Sequence, residues 1–336
     1  MKLRIFLFRI LSIAITFAIL CVSVFAATEA SIKAKKLTLD ENETGAILTL
    51  EGPVEINYGD EHLTAKSATV ELKKGASNLA DAILKANLSG DVNVTAQENV
   101  KAHANEVIFE PQIQKLTMSG KVRIDRDNFS VTANEIAYII NKTLADMTGG
   151  VTLTDGSATV TAESGSYNIK SRSGKLEGKI EVIFPTENLK ITDKPVDKIV
   201  ITCGMLDMSL NDERVTTGLG QSNKRSKLEA GNMSVQADKI TYEWSPSEKN
   251  SGSEKPAYMQ ISVHASGKVV FAAPDVRVEA DSIAFSNSDG KLTASGNVKF
   301  SVLGQKGEAN EIEVNFAEGW TVRLKGATVG GSLEGQ

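Results

Sequence analysis

The feature that most constrains the fold of this 336-residue chain is a degenerate repeat that returns about every 30 residues. Residues 131–138 read VTANEIAY, residues 235–242 read VQADKITY, and residues 278–285 read VEADSIAF. Segments 102–109 and 307–314 follow the same pattern, and four looser copies complete a set of nine. A fixed period over most of a chain is typical of a stack of small structural units. The small residue of each copy stands at 34, 65, 104, 133, 162, 203, 237, 280 and 309.

A second element lies between many of these copies and consists of a glycine followed by alternating apolar residues. Residues 120–124 read GKVRI and residues 296–300 read GNVKF, with related segments after Gly90, Gly178 and Gly267. Alternation with a period of two predicts strands that have one apolar face and one polar face. No long stretch has helical periodicity, although 79–85 (LADAILK) could form a short helix. The pattern therefore predicts an all-β chain.

The spacing within a copy predicts where these strands bend. In 131–138 the apolar positions are 131, 133, 136 and 138, so one step is three residues instead of two. An extra residue at a bulge restores the same face beyond that step. Five of the nine copies carry Asn or Asp there, and these residues tolerate the left-handed conformation. We therefore expect a sharp bend at Asn134 and its equivalents, with left-handed backbone at those residues.

The N-terminus resembles a secretory signal. Three basic residues are followed by the uncharged apolar stretch 10–26, which ends in the small-residue pattern VFA. We expect residues 1–26 to be a cleaved signal peptide, or an uncleaved inner-membrane anchor as the alternative. Cleavage would change the net charge from −5 to −8, because three basic and no acidic residues are lost. An acidic mature chain argues against nucleic acid as a partner.

Residues that could carry chemistry are few. The three histidines are far apart, which argues against a zinc site or a catalytic triad, and the pattern predicts no catalytic residues, no metal site and no cofactor. Cys203 occupies the small position of its copy, so we expect a buried, inert thiol. The basic residues at 224, 225 and 227 are interpreted as a solvated loop, with a contact to anionic head groups as the alternative.

With these repeats and the export signal, the chain resembles the OstA-like family of lipopolysaccharide transport proteins, which includes LptA and LptC. The resemblance covers about 32–329 and implies a semi-open β-jellyroll, often described as a taco, with an apolar inside that holds lipid acyl chains. It also implies a periplasmic location and end strands that join other β-jellyroll proteins of a bridge, including a second copy of this chain. The expected domains are 27–185 and 231–336 as two blocks of repeats, separated by the less regular segment 186–230.

Three functional hypotheses follow. The first is a non-enzymatic bridge or chaperone that carries lipopolysaccharide, or a similar envelope lipid, toward the outer membrane. The second is a structural scaffold with a dry core, and the third, least supported by the sequence, is a glycan-active enzyme. The residues expected to line a lipid groove are Val92, Val94, Phe109, Val122, Ile124, Phe129, Val131, Ile136, Tyr138, Val269, Phe271, Val278, Ile283, Phe285, Val298 and Phe300.

Overall fold

The computed structural model describes residues 30–330, except for 42, 44, 59–60, 77, 96–99, 140, 155–157, 169, 191–194, 210, 247–258, 287–289, 303 and 316–320. The expected signal segment 1–26 lies outside this range. The chain divides into two compact units, which we call the N-terminal unit (up to Gly174) and the C-terminal unit (from Lys175). Among the described residues, no helix has the length and apolar character needed to span a membrane. The prediction of an all-β chain is confirmed.

The N-terminal unit is a series of antiparallel strands in which β1 and β2 both pair with β3, and each strand from β3 to β9 pairs with the next one along the chain. The short helix α1 (Leu79–Ala82) begins after Asn78, whose side chain accepts a hydrogen bond from the Asp81 N–H, and it ends sooner than the sequence suggested. A 3₁₀ turn covers Pro111–Ile113. The strands are β1 (Ala30–Lys33), β2 (Lys36–Glu41), β3 (Gly45–Tyr58), β4 (Glu61–Lys73), β5 (Ile83–Thr95), β6 (Lys101–Glu110), β7 (Lys115–Arg126), β8 (Phe129–Ile139), β9 (Leu144–Thr154) and β10 (Thr159–Asn168).

The predicted bend is present in the N-terminal unit from β3 to β10. Between β7 and β8 the register shifts so that Gly120 and Lys121 together lie opposite the single residue Asn134. The prediction that Asn134 is left-handed is wrong, because the positive φ angles belong to the opposite strand, at Gly120 (73°) and Lys121 (54°). The extra residue of the bulge is on the glycine strand, so that strand has to absorb the unusual backbone.

The bend divides the N-terminal unit into two halves, which we call arm A and arm B. Arm A contains β1 and residues 54–58, 61–65, 92–95, 101–104, 122–126, 129–133, 151–154 and 159–162. Arm B contains β2 and residues 45–51, 67–73, 83–89, 106–110, 115–119, 135–139, 144–148 and 164–168. Buried residues lie in both arms, for example Val131 and Ile136 on either side of one bend. Apolar side chains of the two arms share one interior, as expected of a sheet folded over itself in a β-jellyroll.

The C-terminal unit repeats this arrangement with interruptions. Its strands are β11 (Ser173–Lys190), β12 (Pro195–Ser209), β13 (Arg214–Gly218), β14 (Ser226–Ala230), β15 (Met233–Ala237), β16 (Lys239–Pro246), β17 (Met259–Ala273), β18 (Val276–Ser286), β19 (Lys291–Val302), β20 (Gln305–Asn315), β21 (Thr321–Lys325) and β22 (Thr328–Gly330). The strands β17 to β20 pair in sequence and share a buried apolar core. The first residues of β11 belong to the preceding unit.

The segment 186–230, irregular in sequence, contains regular antiparallel pairing. β12 pairs with β13 on one side of a bend and with β14 on the other. The residues between these two strands, 219–225, take the place of the two-residue bulge found in other repeats. The added length therefore lies at the bend, where it leaves both strand registers intact. The domain limits expected from the sequence stay a prediction.

Candidate lipid-binding groove

An apolar cavity of about 60 Å³ lies inside the N-terminal unit. Arm A contributes Ile32, Ile56, Leu63 and Val94 to its wall. Arm B contributes Val70, Ile83, Ala86, Leu88, Phe109 and Leu116. All ten residues are apolar, so the cavity offers burial to a hydrocarbon and no side-chain hydrogen bond. Since both arms line it, the cavity lies between the two faces of the folded sheet.

The residues expected to line a groove face the interior wherever their side chains are described. Val94 and Phe109 line the cavity, while the side chain of Phe129 lies outside the described part of the structure. Phe271 and Phe285 are partly buried and pack against the core of the C-terminal unit. Their contact with lipid stays a prediction. The others are buried, namely Val92, Val122, Ile124, Val131, Ile136 and Tyr138 in the N-terminal unit and Val269, Val278, Ile283, Val298 and Phe300 in the C-terminal unit.

Eight cavity residues were absent from the expected set: Ile32, Ile56, Leu63, Val70, Ile83, Ala86, Leu88 and Leu116. Leu63 and Val70 flank the small residue Ala65 at the same spacings as Val131 and Tyr138 flank Ala133. The repeat pattern therefore predicts interior positions for Leu63 and Val70. They were absent from the expected set because their copy matches the pattern only loosely.

The apolar lining continues to the exposed first edge of the N-terminal unit. In β2, Leu37 and Leu39 pair with Leu50 and Leu48 of β3, which are buried. Directly paired residues have their side chains on the same face of a sheet. Leu37 and Leu39 therefore belong to the interior face, yet they are 56% and 48% exposed. The interior is open to solvent at this edge.

The last edge of the C-terminal unit has the same character. Val322 and Leu324 of β21 pair with Val314 and Ile312 of β20, and Ile312 is buried. Val322 is 51% exposed and Leu324 is 38% exposed. Thus β2, at the first edge of the N-terminal unit, and β21, at the last edge of the C-terminal unit, both present exposed apolar side chains on the interior face.

Cys203 is confirmed as a buried residue with no exposed area. Burial raises the pKa of its thiol to about 12, so the thiolate that would act as a nucleophile is disfavoured. Among the described residues, no cluster of His, Cys, Asp and Glu side chains is arranged to hold a metal ion.

The basic cluster is only partly solvated. The Arg225 guanidinium donates to Asp238 Oδ1 at 2.9 Å and to the backbone carbonyl oxygens of Gly267 and Lys268. Lys227 Nζ lies 2.6 Å from Glu229 Oε1, while Lys224 is exposed. Arg225 therefore holds the loop 219–225 against neighbouring strands, a role that the sequence did not reveal.

Comparison with known proteins gives one family. Residues 31–144 match the family model described as "LptA/(LptD N-terminal domain) LPS transport protein". No curated protein matches the chain. Among solved structures, LptH of Pseudomonas aeruginosa, described as the LptA homologous periplasmic component of a lipopolysaccharide transport device, is 12% identical to this chain. That match covers 36% of this chain and 82% of LptH, with a TM-score of 0.31.

The family match covers the repeats β1 to β8 and the start of β9, which include every wall residue of the cavity. The resemblance inferred from the repeats is confirmed by this match. Over residues 31–144, the chain is therefore similar to the LptA/(LptD N-terminal domain) family of lipopolysaccharide transport proteins.

Proposed function

We propose that this protein is a periplasmic bridge or chaperone that carries the acyl chains of lipopolysaccharide, or a similar envelope lipid, between the two arms of its β-jellyroll. The observation that carries the proposal is the apolar cavity between arm A and arm B, within the segment that matches the family. Burial of each methylene group is worth about 0.8 kcal/mol, so a groove of this kind needs no catalytic group.

The cavity volume places a condition on this function. A space of about 60 Å³ corresponds to about two water volumes, which is too small for an acyl chain. Lipid entry therefore requires the two arms to move apart. Entry would begin at the exposed interior face of Leu37 and Leu39, because β2 pairs only with β3 among the described residues.

Photo-crosslinking in living cells tests the groove. A photoreactive residue replaces Leu63, which lines the cavity, in one strain and Thr64, the next residue on the opposite face, in a control strain. We expect a lipopolysaccharide adduct at position 63 and none at position 64. Equal labelling, or no labelling at either position in folded, exported protein, would contradict the proposal.

We also propose that the open edge strands join other β-jellyroll proteins by strand addition. An exposed strand edge is a template for pairing with another chain, and Leu37 and Leu39 would extend the apolar lining into the partner. A photoreactive residue at the exposed Lys36 should capture a protein that contains the same repeat. Leu39→Lys should abolish this adduct, whereas Thr38→Lys, with the same charge on the other face, should keep it.

The scaffold hypothesis has one observation in its favour. Away from the cavity the interior is tightly packed, with Val92 and Val122 at 0% and 1% exposure. A dry core of this type predicts that the protein purifies without lipid and still forms the edge contact through Lys36. That combination of results would replace the transport proposal by the scaffold function.

A further inference from the structure

Tyr167 is a polar residue in an apolar position. It stands five residues after the small residue Ala162, the place that Tyr138 and Phe109 hold in their own repeats. The side chain is 5% exposed, and its hydroxyl has no hydrogen-bond partner among the described residues. Burial raises the pKa of the hydroxyl to about 12, so Tyr167 is a neutral donor at physiological pH.

Arg172 stands five residues after Tyr167, in the turn that follows β10. Burial is the larger influence on the Tyr167 pKa and raises it, while the positive charge of Arg172 lowers it. The Nε atom of Arg172 is buried and has no partner among the described residues. No carboxylate in the described part of the chain forms an ion pair with this guanidinium.

The turn that carries Arg172 is firmly held. Asn168 Oδ1 accepts a hydrogen bond from the Ser171 N–H at 2.9 Å, and Asn168 Nδ2 donates to the Lys142 carbonyl oxygen at 3.0 Å. These bonds tie the turn after β10 to the turn between β8 and β9. The position of Arg172 is therefore set by the fold at the outer end of arm B.

A buried donor without an acceptor is unfavourable, and the Tyr167 hydroxyl and the Arg172 Nε are both donors of this kind. Tyr167 and Arg172 both supply donors, and one of them is cationic. The group that would satisfy both is an oxygen anion, and a phosphate matches the donor geometry of a guanidinium. Tyr167 is on the interior face, so such an anion would lie next to the apolar lining.

We propose that Tyr167 and Arg172 form a subsite for a phosphate group of the lipid whose acyl chains occupy the interior of the N-terminal unit. The subsite rests on the proposed function, because it assigns the head-group end of the same ligand. The subsite also adds to the proposed function, because it would make the protein prefer phosphorylated lipids to uncharged ones.

The test compares two probes, the lipid part of lipopolysaccharide with its phosphates and the same lipid after enzymatic dephosphorylation. Binding to the full mature chain is measured for the wild type, Arg172→Gln, Tyr167→Phe and the control Lys170→Gln. Lys170 is exposed in the same turn, so its variant removes one charge without touching the subsite. We expect Arg172→Gln to weaken binding of the phosphorylated probe by about tenfold and to leave the dephosphorylated probe unaffected.

A second readout separates a ligand site from a structural role. Removing an uncompensated charge should raise the urea midpoint of the lipid-free protein in Arg172→Gln, whereas loss of a structural arginine would lower it. A lower urea midpoint for Arg172→Gln would contradict the subsite, and so would equal affinity of the wild type for both probes. Neither result would contradict the proposed groove for acyl chains. If neither probe binds, the proposed function fails. If inorganic phosphate alone stabilises the wild type but not Arg172→Gln, the site binds free phosphate. The assignment of the subsite to a lipid phosphate would then be wrong.

Discussion

Gly149 of β9 lies so close to Asn134 of β8 that a Cβ atom added to Gly149 would fall 2.5 Å from the Asn134 Cβ. The same relationship joins Gly120 to Asn105 and Gly296 to Asp281. The two sequence elements of the repeat, the glycine and the Asn or Asp, are therefore contact partners on neighbouring strands. Because glycine has no Cβ atom, the neighbouring strands can approach this closely at the level of the bend.

Gly149→Ala should destabilise the protein more than Gly150→Ala. Both glycines have positive φ, 78° and 87°, so alanine is strained by about 1–2 kcal/mol at either position. Only Gly149 adds a clash, since nothing lies within 4 Å of a Cβ built on Gly150. We expect a further loss of about 1–3 kcal/mol in urea unfolding. Asn134→Gly should remove that further loss in the double variant, and equal costs in both backgrounds would contradict the contact.

Ala86→Leu should lower the amount of lipid that copurifies with the protein. The larger side chain fills the cavity between the arms, and its cost in stability should not exceed about 1–3 kcal/mol. Lipid per protein is measured by mass spectrometry after solvent extraction. Ala137→Leu, the same change on the opposite face of arm B, is the control and should keep the wild-type lipid content. Equal loading of both variants would show that this cavity is not where lipid enters.

The free energy of unfolding should fall as the pH rises from about 9 toward 12, in part because of Cys203. Burial raises the thiol pKa from 9.0 to about 12, so folding favours the neutral thiol. This contribution is fully present below pH 9 and is lost as the pH approaches the folded-state value, by up to about 1.4 kcal/mol per pH unit. Urea unfolding of Cys203→Ala should show a shallower decline over this range. Identical slopes in the two proteins would exclude the thiol as a source.

Arg225→Ala should destabilise the C-terminal unit, whereas Lys224→Ala should not. Arg225 joins its loop to Asp238 and to two carbonyl oxygens of β17, and its side chain is only 28% exposed. We expect a loss of about 1–2 kcal/mol, since solvent partly screens a pair of charges that is partly exposed. Hydrogen exchange at the β17 bulge gives a local measurement. Unchanged protection there would mean that the loop does not depend on this arginine.

Several features of the fold could be predicted from the sequence because they depend on local periodicity. Alternating apolar residues define the inner face of a strand, and the single step of three in each copy marks the bend. The interior positions of Val131, Ile136 and Tyr138 followed from this pattern and are confirmed. Sequence order alone also placed the regular repeats next to each other, since each strand from β3 to β9 and from β17 to β19 pairs with its successor.

Other features depend on the register between strands, which no single strand encodes. The left-handed residues are Gly120 and Lys121 instead of Asn134, because a bulge can be accommodated by either partner. The loop 219–225 lies at a bend because β13 and β14 share β12 as a partner.

What the sequence determined by itself is the repeating all-β chain, its apolar face and its resemblance to a family of lipopolysaccharide transport proteins. Only the tertiary structure decided which apolar residues border a cavity, which strands are left with open edges, and that the Tyr167 hydroxyl and the Arg172 Nε are buried without an acceptor. The physical reason is that periodicity is a property of one strand. Cavities, edges and unpaired polar atoms arise from how the arms close over each other.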